Sequence, residues 1–69
     1  MDQVMYEKEL EKQFKDSDII FTAISTSGAR DYQEAERIVI MEYVTDMSFS
    51  RAGISHALKR LEKHYNREA

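Results

Sequence analysis

The last third of the chain carries a periodic pattern that constrains the fold more than any other feature. From Ile54 onward, apolar residues recur at intervals of three and four, which places them on one stripe of an α-helix. The stripe consists of Ile54, Ala57, Leu58, Leu61 and Tyr65. Ser50 is the predicted N-cap, because a serine hydroxyl accepts a hydrogen bond from an unpaired N–H of the first turn. The pattern predicts an amphipathic C-terminal helix that buries one face.

The opposite face of this helix is basic. It carries Ala52, His56, Lys59 and Lys63, flanked by Arg60 and Arg67. Residues 50–69 hold five Lys/Arg against two Asp/Glu, a net charge of +3, whereas residues 1–49 hold five against eleven, a net charge of −6. A polyanion would therefore meet the C-terminal helix and be repelled by the rest. Small residues followed by cations suit a helix that enters a DNA major groove N-terminus first, although a solvated basic face is the alternative.

Residues 48–63, SFSRAGISHALKRLEK, resemble the turn and recognition helix of winged helix-turn-helix transcriptional regulators. The simple helix-turn-helix pattern also fits residues 40–59, with Ser48 where a turn glycine is usual. Its buried positions would be filled by Tyr43, Met47, Phe49, Ile54 and Ala57. Two features depart from the family pattern: we expect no wing hairpin after the helix, and the net charge is −3.

The resemblance implies a small DNA-binding transcriptional regulator that acts as a homodimer on double-stranded DNA, with recognition helices in major grooves about 34 Å apart. Phosphate or guanine contacts are expected from Arg51, Lys59, Arg60, Lys63 and Arg67. Ser55 and His56 are expected to read base edges. The rival hypothesis is a modulator, of the phage inhibitor or antirepressor kind, that docks a helix-turn-helix-like scaffold on a larger protein. A purely structural helical dimer is the third.

Three further helices are predicted upstream. The first helix runs from Asp2 to about Lys15. The second runs from Asp18 to about Thr26, and residues 16–18 could serve as its N-caps. A short buried strand is the alternative for this second segment. A loop follows over residues 25–30. Asp31 and Glu34 then resemble a capping box for a third helix that ends near Thr45, with a buried face of Tyr32, Ala35, Val39 and Tyr43. The expected fold is all-α, a single four-helix domain over residues 1–69 with a C-terminal helix-turn-helix and an N-terminal dimerisation helix.

Self-association is expected because a 69-residue monomer buries a small fraction of its surface and would be only marginally stable. Residues 38–44 are apolar nearly all round the third helix, and the stripe on the first helix is too thin to anchor it alone. The predicted dimer interface comprises Tyr6, Leu10, Phe14, Ile38 and Met41.

Catalytic and metal-binding signals are weak. The chain has no cysteine, and His56 and His64 are eight residues apart, which is wide for a metal-ligand pair. The carboxylates of Asp31, Glu34 and Glu36 are better explained by capping and by the helix dipole than by acid–base chemistry. The Ser/Thr/Gly loop lacks the lysine of a phosphate-binding loop. We therefore expect a non-enzyme without a metal or cofactor.

The compartment is inferred from what the sequence lacks. We expect no signal peptide, and the longest purely apolar run covers only residues 38–41. These features predict a cytoplasmic, nucleoid-associated protein that does not enter the membrane.

Overall fold

A computed structural model describes the backbone of residues 3–68 and the side chains of residues 3–66. The elements are α1 (Gln3–Ser25), α2 (Tyr32–Val39), a π-helical turn (Ile40–Val44) that continues α2 directly, and α3 (Arg51–Glu68). No strand occurs among the described residues, which confirms the all-α prediction. Residues 3–68 form three α-helices, with the π-helical turn continuing the second, instead of the four helices expected.

The missing helix boundary lies within α1, which continues without a break through Asp16, Ser17 and Asp18. These residues were predicted to cap a second helix, and that prediction is wrong. Residues 3–25 contain neither glycine nor proline, so nothing in this stretch favours stopping the helix. Asp16 and Ser17 are buried and find their hydrogen-bond partners on or beside α3. Within the described residues, the predicted N-terminal helix is therefore the first part of α1, and a separate dimerisation helix is not supported.

The capping box that opens α2 is confirmed. Asp31 accepts a hydrogen bond from the Glu34 N–H at 2.9 Å, and the Glu34 carboxylate reaches back to the Arg30 N–H at 2.9 Å. Ala35 and Val39 are buried, while Tyr32 and Tyr43 are half-buried, so the predicted inner face is also correct. The helix widens into its π-turn at Ile40, and the predicted end near Thr45 is within one residue of the last π-helical position.

The core lies where α1, α2 and α3 meet. It consists of Ile20, Ile24, Ala35, Val39, Ile54, Ala57 and Leu61. The predicted stripe on α3 is thus largely correct, although Leu58 and Tyr65 are only half-buried. Removal of these side chains from water supplies stabilisation of roughly 25 cal/mol per Å² of apolar surface.

The closest helix pair is α1 and α3, which run in the same direction. Near the start of α3, Asp16 accepts a hydrogen bond from the Ser50 N–H at 2.8 Å. Near its end, the Tyr65 hydroxyl donates to the Ala29 carbonyl at 3.1 Å. The predicted N-cap is also present, because Ser50 Oγ accepts from the Gly53 N–H at 3.1 Å. Hydrogen bonds therefore join α1 to the N-cap of α3, and the end of α3 to the loop that follows α1.

The connection between the π-turn and α3 covers residues 45–50. The Asp46 carboxylate accepts hydrogen bonds from both the N–H and the hydroxyl of Ser48. Tyr43 and Phe49 pack edge to face with ring centroids 4.9 Å apart. Met47 was predicted to be buried, but 97% of it is exposed, so that prediction is wrong. Ser48 does not adopt the left-handed conformation of a turn glycine, since Gly28 alone among the described residues has a positive φ.

Candidate nucleic-acid interface

The outer surface of α3 presents a set of exposed polar and cationic side chains, which we call the basic face. It consists of Arg51, Ser55, His56, Lys59, Arg60 and Lys63. The helix periodicity that sends Ile54, Ala57 and Leu61 into the core leaves these positions on the water side. Six of the seven residues predicted to contact DNA are thus exposed on one helix. The side chain of the seventh, Arg67, lies outside the described residues.

The cations of the basic face differ in what they already bind. Among the described side chains, the ion pairs are Lys12–Asp16 and Arg60–Asp18. Neither pair involves Arg51, Lys59 or Lys63, whose charges are therefore not neutralised by a carboxylate of the described residues. An anion that approached α3 would meet these three groups without first displacing an internal partner.

Arg60 is different because it connects α3 to α1. Its guanidinium donates to Asp18 Oδ1 at 2.6 Å and to Ser17 Oγ at 3.1 Å. The guanidinium carbon also lies 4.4 Å from the centroid of the Phe21 ring, a cation–π arrangement. The sequence suggested that Arg60 is free to contact a phosphate or guanine. The structure gives it an interhelical role as well.

A groove runs between α1 and α3 beside the basic face, with a volume of about 410 Å³. We call it the α1–α3 groove. It is lined by Phe14, Ser17, Asp18, His56, Lys59, Arg60 and Lys63. Phe14, which was predicted to lie at a dimer interface, is 67% exposed here beside the cations of α3. The groove brings an accessible aromatic ring and several basic groups together.

The N-terminus of α3 is occupied by a carboxylate. Asp16 binds the Ser50 N–H, and Lys12 donates both to Asp16 at 3.2 Å and to the Ser48 carbonyl at 2.7 Å. Burial would raise the pKa of Asp16, but the hydrogen bonds from Ser50 and Lys12 outweigh it and lower the pKa below 3.8. The Asp16 carboxylate therefore complements the positive end of the α3 helix dipole.

Exposed apolar side chains occur on α1, at Val4, Met5, Tyr6, Phe14 and Ile19, and in a second group around the π-turn. We call Ile40, Met41, Val44 and Met47 the exposed apolar segment; their exposure ranges from 50% to 97%. Of the residues predicted for a dimer interface, Met41 belongs to this segment and Ile38 is half-buried against the core. Tyr6 is exposed and Leu10 half-buried on the first part of α1.

The two histidines have separate environments. His56 lines the α1–α3 groove, whereas the His64 ring is half-buried and packs edge to face on Phe21 and Tyr65. Eight residues of α-helix separate them by about 12 Å along the axis. No group of three or more His, Asp or Glu residues within the described part of the chain is placed to hold a metal ion.

Three residues of the contact between α1 and α3 were not predicted from the sequence to be interhelical: Asp16, Ser17 and Gly53. Counting back from Ile20 and Ile24 at helical spacing would have placed Asp16 and Ser17 on the buried face of α1. A glycine inside a helix lowers stability by about 1 kcal/mol relative to alanine. Its presence at position 53 therefore indicated a place where another part of the backbone comes close to the helix.

No described helix combines the length and apolar character needed to cross a bilayer. In comparisons with known proteins, no family model, no curated protein and no solved structure matches the chain.

Proposed function

We propose that this protein binds double-stranded DNA through the basic face of α3, acts on transcription and works as a homodimer. The observation that carries the proposal is the accessibility of the cations along α3. Arg51, Lys59 and Lys63 are exposed and lie outside the ion pairs of the described side chains. Duplex phosphates attract such groups strongly, because each neutralised phosphate releases condensed counterions.

The neutral residues of the basic face suit the second part of this function. Ser55 and His56 are exposed between Arg51 and Lys59. In recognition helices, residues of the first turns contact base edges while cations position the helix on the backbone. We therefore assign phosphate contacts first to Arg51, Lys59 and Lys63, and base contacts to Ser55 and His56. Arg60 can contact a phosphate only when its ion pair with Asp18 is broken.

The acidic remainder of the chain sets the orientation on DNA. Residues 1–49 carry a net charge of −6, and residues 50–69 carry +3. A duplex is therefore attracted to α3 and repelled from the opposite side of the molecule.

Dimerisation is assigned to the exposed apolar segment. A run of accessible Ile, Met and Val side chains around one turn is costly for an isolated small domain, and a second copy would cover it. Introducing a charge at Met41 or Met47 (Met41→Lys, Met47→Lys) should shift sedimentation from dimer to monomer. The matched control is Ile19→Lys, which alters an exposed apolar residue on α1 and should leave the dimer intact. A wild-type protein that sediments as a monomer at tens of micromolar would contradict this part of the proposal.

The second candidate function is a modulator that docks on a larger protein, and one observation favours it. A hollow of about 670 Å³ opens beside the exposed apolar segment, lined by Val44, Asp46, Met47, Phe49, Arg51 and Ile54. Its apolar walls with charged residues at the edge suit an apolar side chain of a partner protein. In this alternative the same segment contacts the target, and the acidic half of the chain keeps nucleic acid away.

Binding of a fluorescent random-sequence duplex at low salt distinguishes the two functions. We expect measurable affinity that falls linearly on a logarithmic salt scale. The double change Lys59→Ala with Lys63→Ala should weaken binding to every duplex and reduce the salt slope by about 0.9 for each phosphate that is no longer neutralised.

The matched control is Lys8→Ala with Lys15→Ala, which removes the same charge from exposed positions on α1. This control should retain most of the affinity, because those lysines lie outside the basic face. If the wild-type protein shows no duplex binding at low salt, or if both double variants lose it equally, DNA binding by α3 is excluded and the modulator hypothesis takes its place.

A further inference from the structure

The α1–α3 groove brings an exposed aromatic ring together with several basic side chains. Phe14 on α1 leaves two-thirds of its surface in water, although nothing about helix formation requires a large aromatic residue there. His56, Lys59 and Lys63 reach the same groove from α3. Its volume of about 410 Å³ is within the range of sites that hold small organic ligands.

The charge balance of the groove favours an anion. Asp18 is the one acid among the residues that line it, and Arg60 already neutralises Asp18 through an ion pair of 2.6 Å. Lys59 and Lys63 therefore leave the groove with a formal charge of +2, with His56 counted as neutral. A phosphate group supplies the complementary charge.

We propose that the α1–α3 groove binds a nucleotide unit, with its base against the Phe14 ring and its phosphate beside Lys59 and Lys63. The source of that unit is single-stranded nucleic acid or a free mononucleotide, which present the same chemistry. Aromatic rings stack on any base, and a basic groove follows the phosphates, which together make up the usual surface for single strands. The site shares two lysines with the proposed duplex surface but does not require duplex binding.

The placement of the charges determines the orientation of the ligand. Asp18 lies on the α1 side of the groove, where its ion pair with Arg60 leaves no net charge to attract a phosphate. The lysines attract phosphate to the α3 side, so the base is directed toward Phe14. Duplex DNA cannot use the ring in this way, because its bases are stacked on one another.

The absence of tryptophan from the chain provides a direct probe. In Phe14→Trp the new side chain is the only tryptophan, and stacking on a base should quench its emission. We expect saturable quenching by a short thymidine oligonucleotide and by adenosine 5′-monophosphate if both sources fit, or by the oligonucleotide alone if a strand is needed. Tyr6→Trp places a tryptophan at an exposed position of the same helix outside the groove and should not be quenched.

Anisotropy of a labelled thymidine oligonucleotide gives the second test. Phe14→Ala should weaken its binding about tenfold, as expected when one base–aromatic stacking interaction is removed, and leave binding of inorganic polyphosphate and of duplex DNA unchanged. Melting curves would verify that the exposed position tolerates alanine.

Equal binding of the oligonucleotide by wild type and Phe14→Ala, or quenching absent from Phe14→Trp, would overturn the proposal and leave only a nonspecific polyanion surface. If the wild-type protein bound the oligonucleotide in a Phe14-dependent manner but did not bind duplex DNA, the proposed duplex function would be refuted and this site supported.

Discussion

Gly53 on α3 faces Asp16 on α1 so closely that a Cβ atom at position 53 would lie 2.6 Å from the Asp16 Cβ. The same added atom would approach Ser50 Oγ at 2.9 Å and the Gln13 carbonyl oxygen at 3.1 Å. The nearest atom is a Cβ, which cannot move without the backbone of α1. Gly53 thus permits the close approach that lets Asp16 reach the N-terminus of α3.

Gly53→Ala should destabilise the protein by about 1–3 kcal/mol, because overpacking forces the helices apart. The direction of the change in stability is informative, because in an isolated helix the same substitution would stabilise the helix by about 1 kcal/mol. Thermal unfolding measures the effect, and Ser55→Ala, at an exposed position two residues away, is the control. A Gly53→Ala protein that melts at or above the wild-type temperature would show that the helices are not in contact here.

The Asp16 carboxylate should make stability depend on acid pH. Its pKa in the folded protein is below its ordinary value of 3.8, so its contribution is complete above pH 3.8 and is lost as the pH falls through the folded-state pKa. In urea unfolding, Asp16→Asn should be less stable near neutral pH, by about 1.5–3 kcal/mol, because Ser50 and Lys12 would then donate to a neutral amide instead of a charged carboxylate.

The same substitution should reduce the loss of stability on acidification. Part of that loss should remain, because hydrogen bonds from Ser48 also lower the pKa of Asp46. If wild type and Asp16→Asn lost stability in parallel as the solution was acidified through the folded-state pKa, Asp16 would not be the carboxylate responsible.

The two central leucines of α3 should differ in their contribution to stability. Leu61 is fully buried, whereas Leu58 is half-buried. Leu61→Ala should therefore cost about 2–5 kcal/mol, and Leu58→Ala distinctly less. Glu62→Ala, an exposed change between the two helical faces, should stay within about 0.5 kcal/mol of wild type. A larger loss at position 58 than at 61 would mean that α3 is rotated relative to the structure.

Arg60 should contribute to stability in a way that Lys63 does not. Arg60→Ala removes the ion pair with Asp18, the bond to Ser17 and the contact with Phe21, at a cost of about 1 kcal/mol since the ion pair is exposed. Arg60→Lys should recover only part of this, because lysine lacks the planar fork. Lys63→Ala should be nearly neutral, and equal losses at positions 60 and 63 would contradict the interhelical role of Arg60.

Local chemistry explains which predictions the structure confirms. The N-cap at Ser50 and the capping box of Asp31 and Glu34 depend on residues three positions apart, so they are visible in a linear sequence. The buried faces of α2 and α3 follow from helical periodicity in the same way. The prediction that Met47 is buried was wrong. It assumed the backbone path of a helix-turn-helix turn, and no residue near Met47 specifies the path that the backbone takes there.

The amino-acid sequence by itself determined that the chain is helical, where α2 and α3 begin, and which side of α3 is basic, because these properties follow from contacts within one or two turns. Only the tertiary structure decided that Asp16 and Ser17 lie inside α1 with partners at α3, that Arg60 binds Asp18, and that Phe14 shares a groove with Lys59 and Lys63. Each of these interactions joins residues more than thirty positions apart in the chain. Their formation depends on how closely α1 and α3 approach, and that distance is set by packing around Gly53.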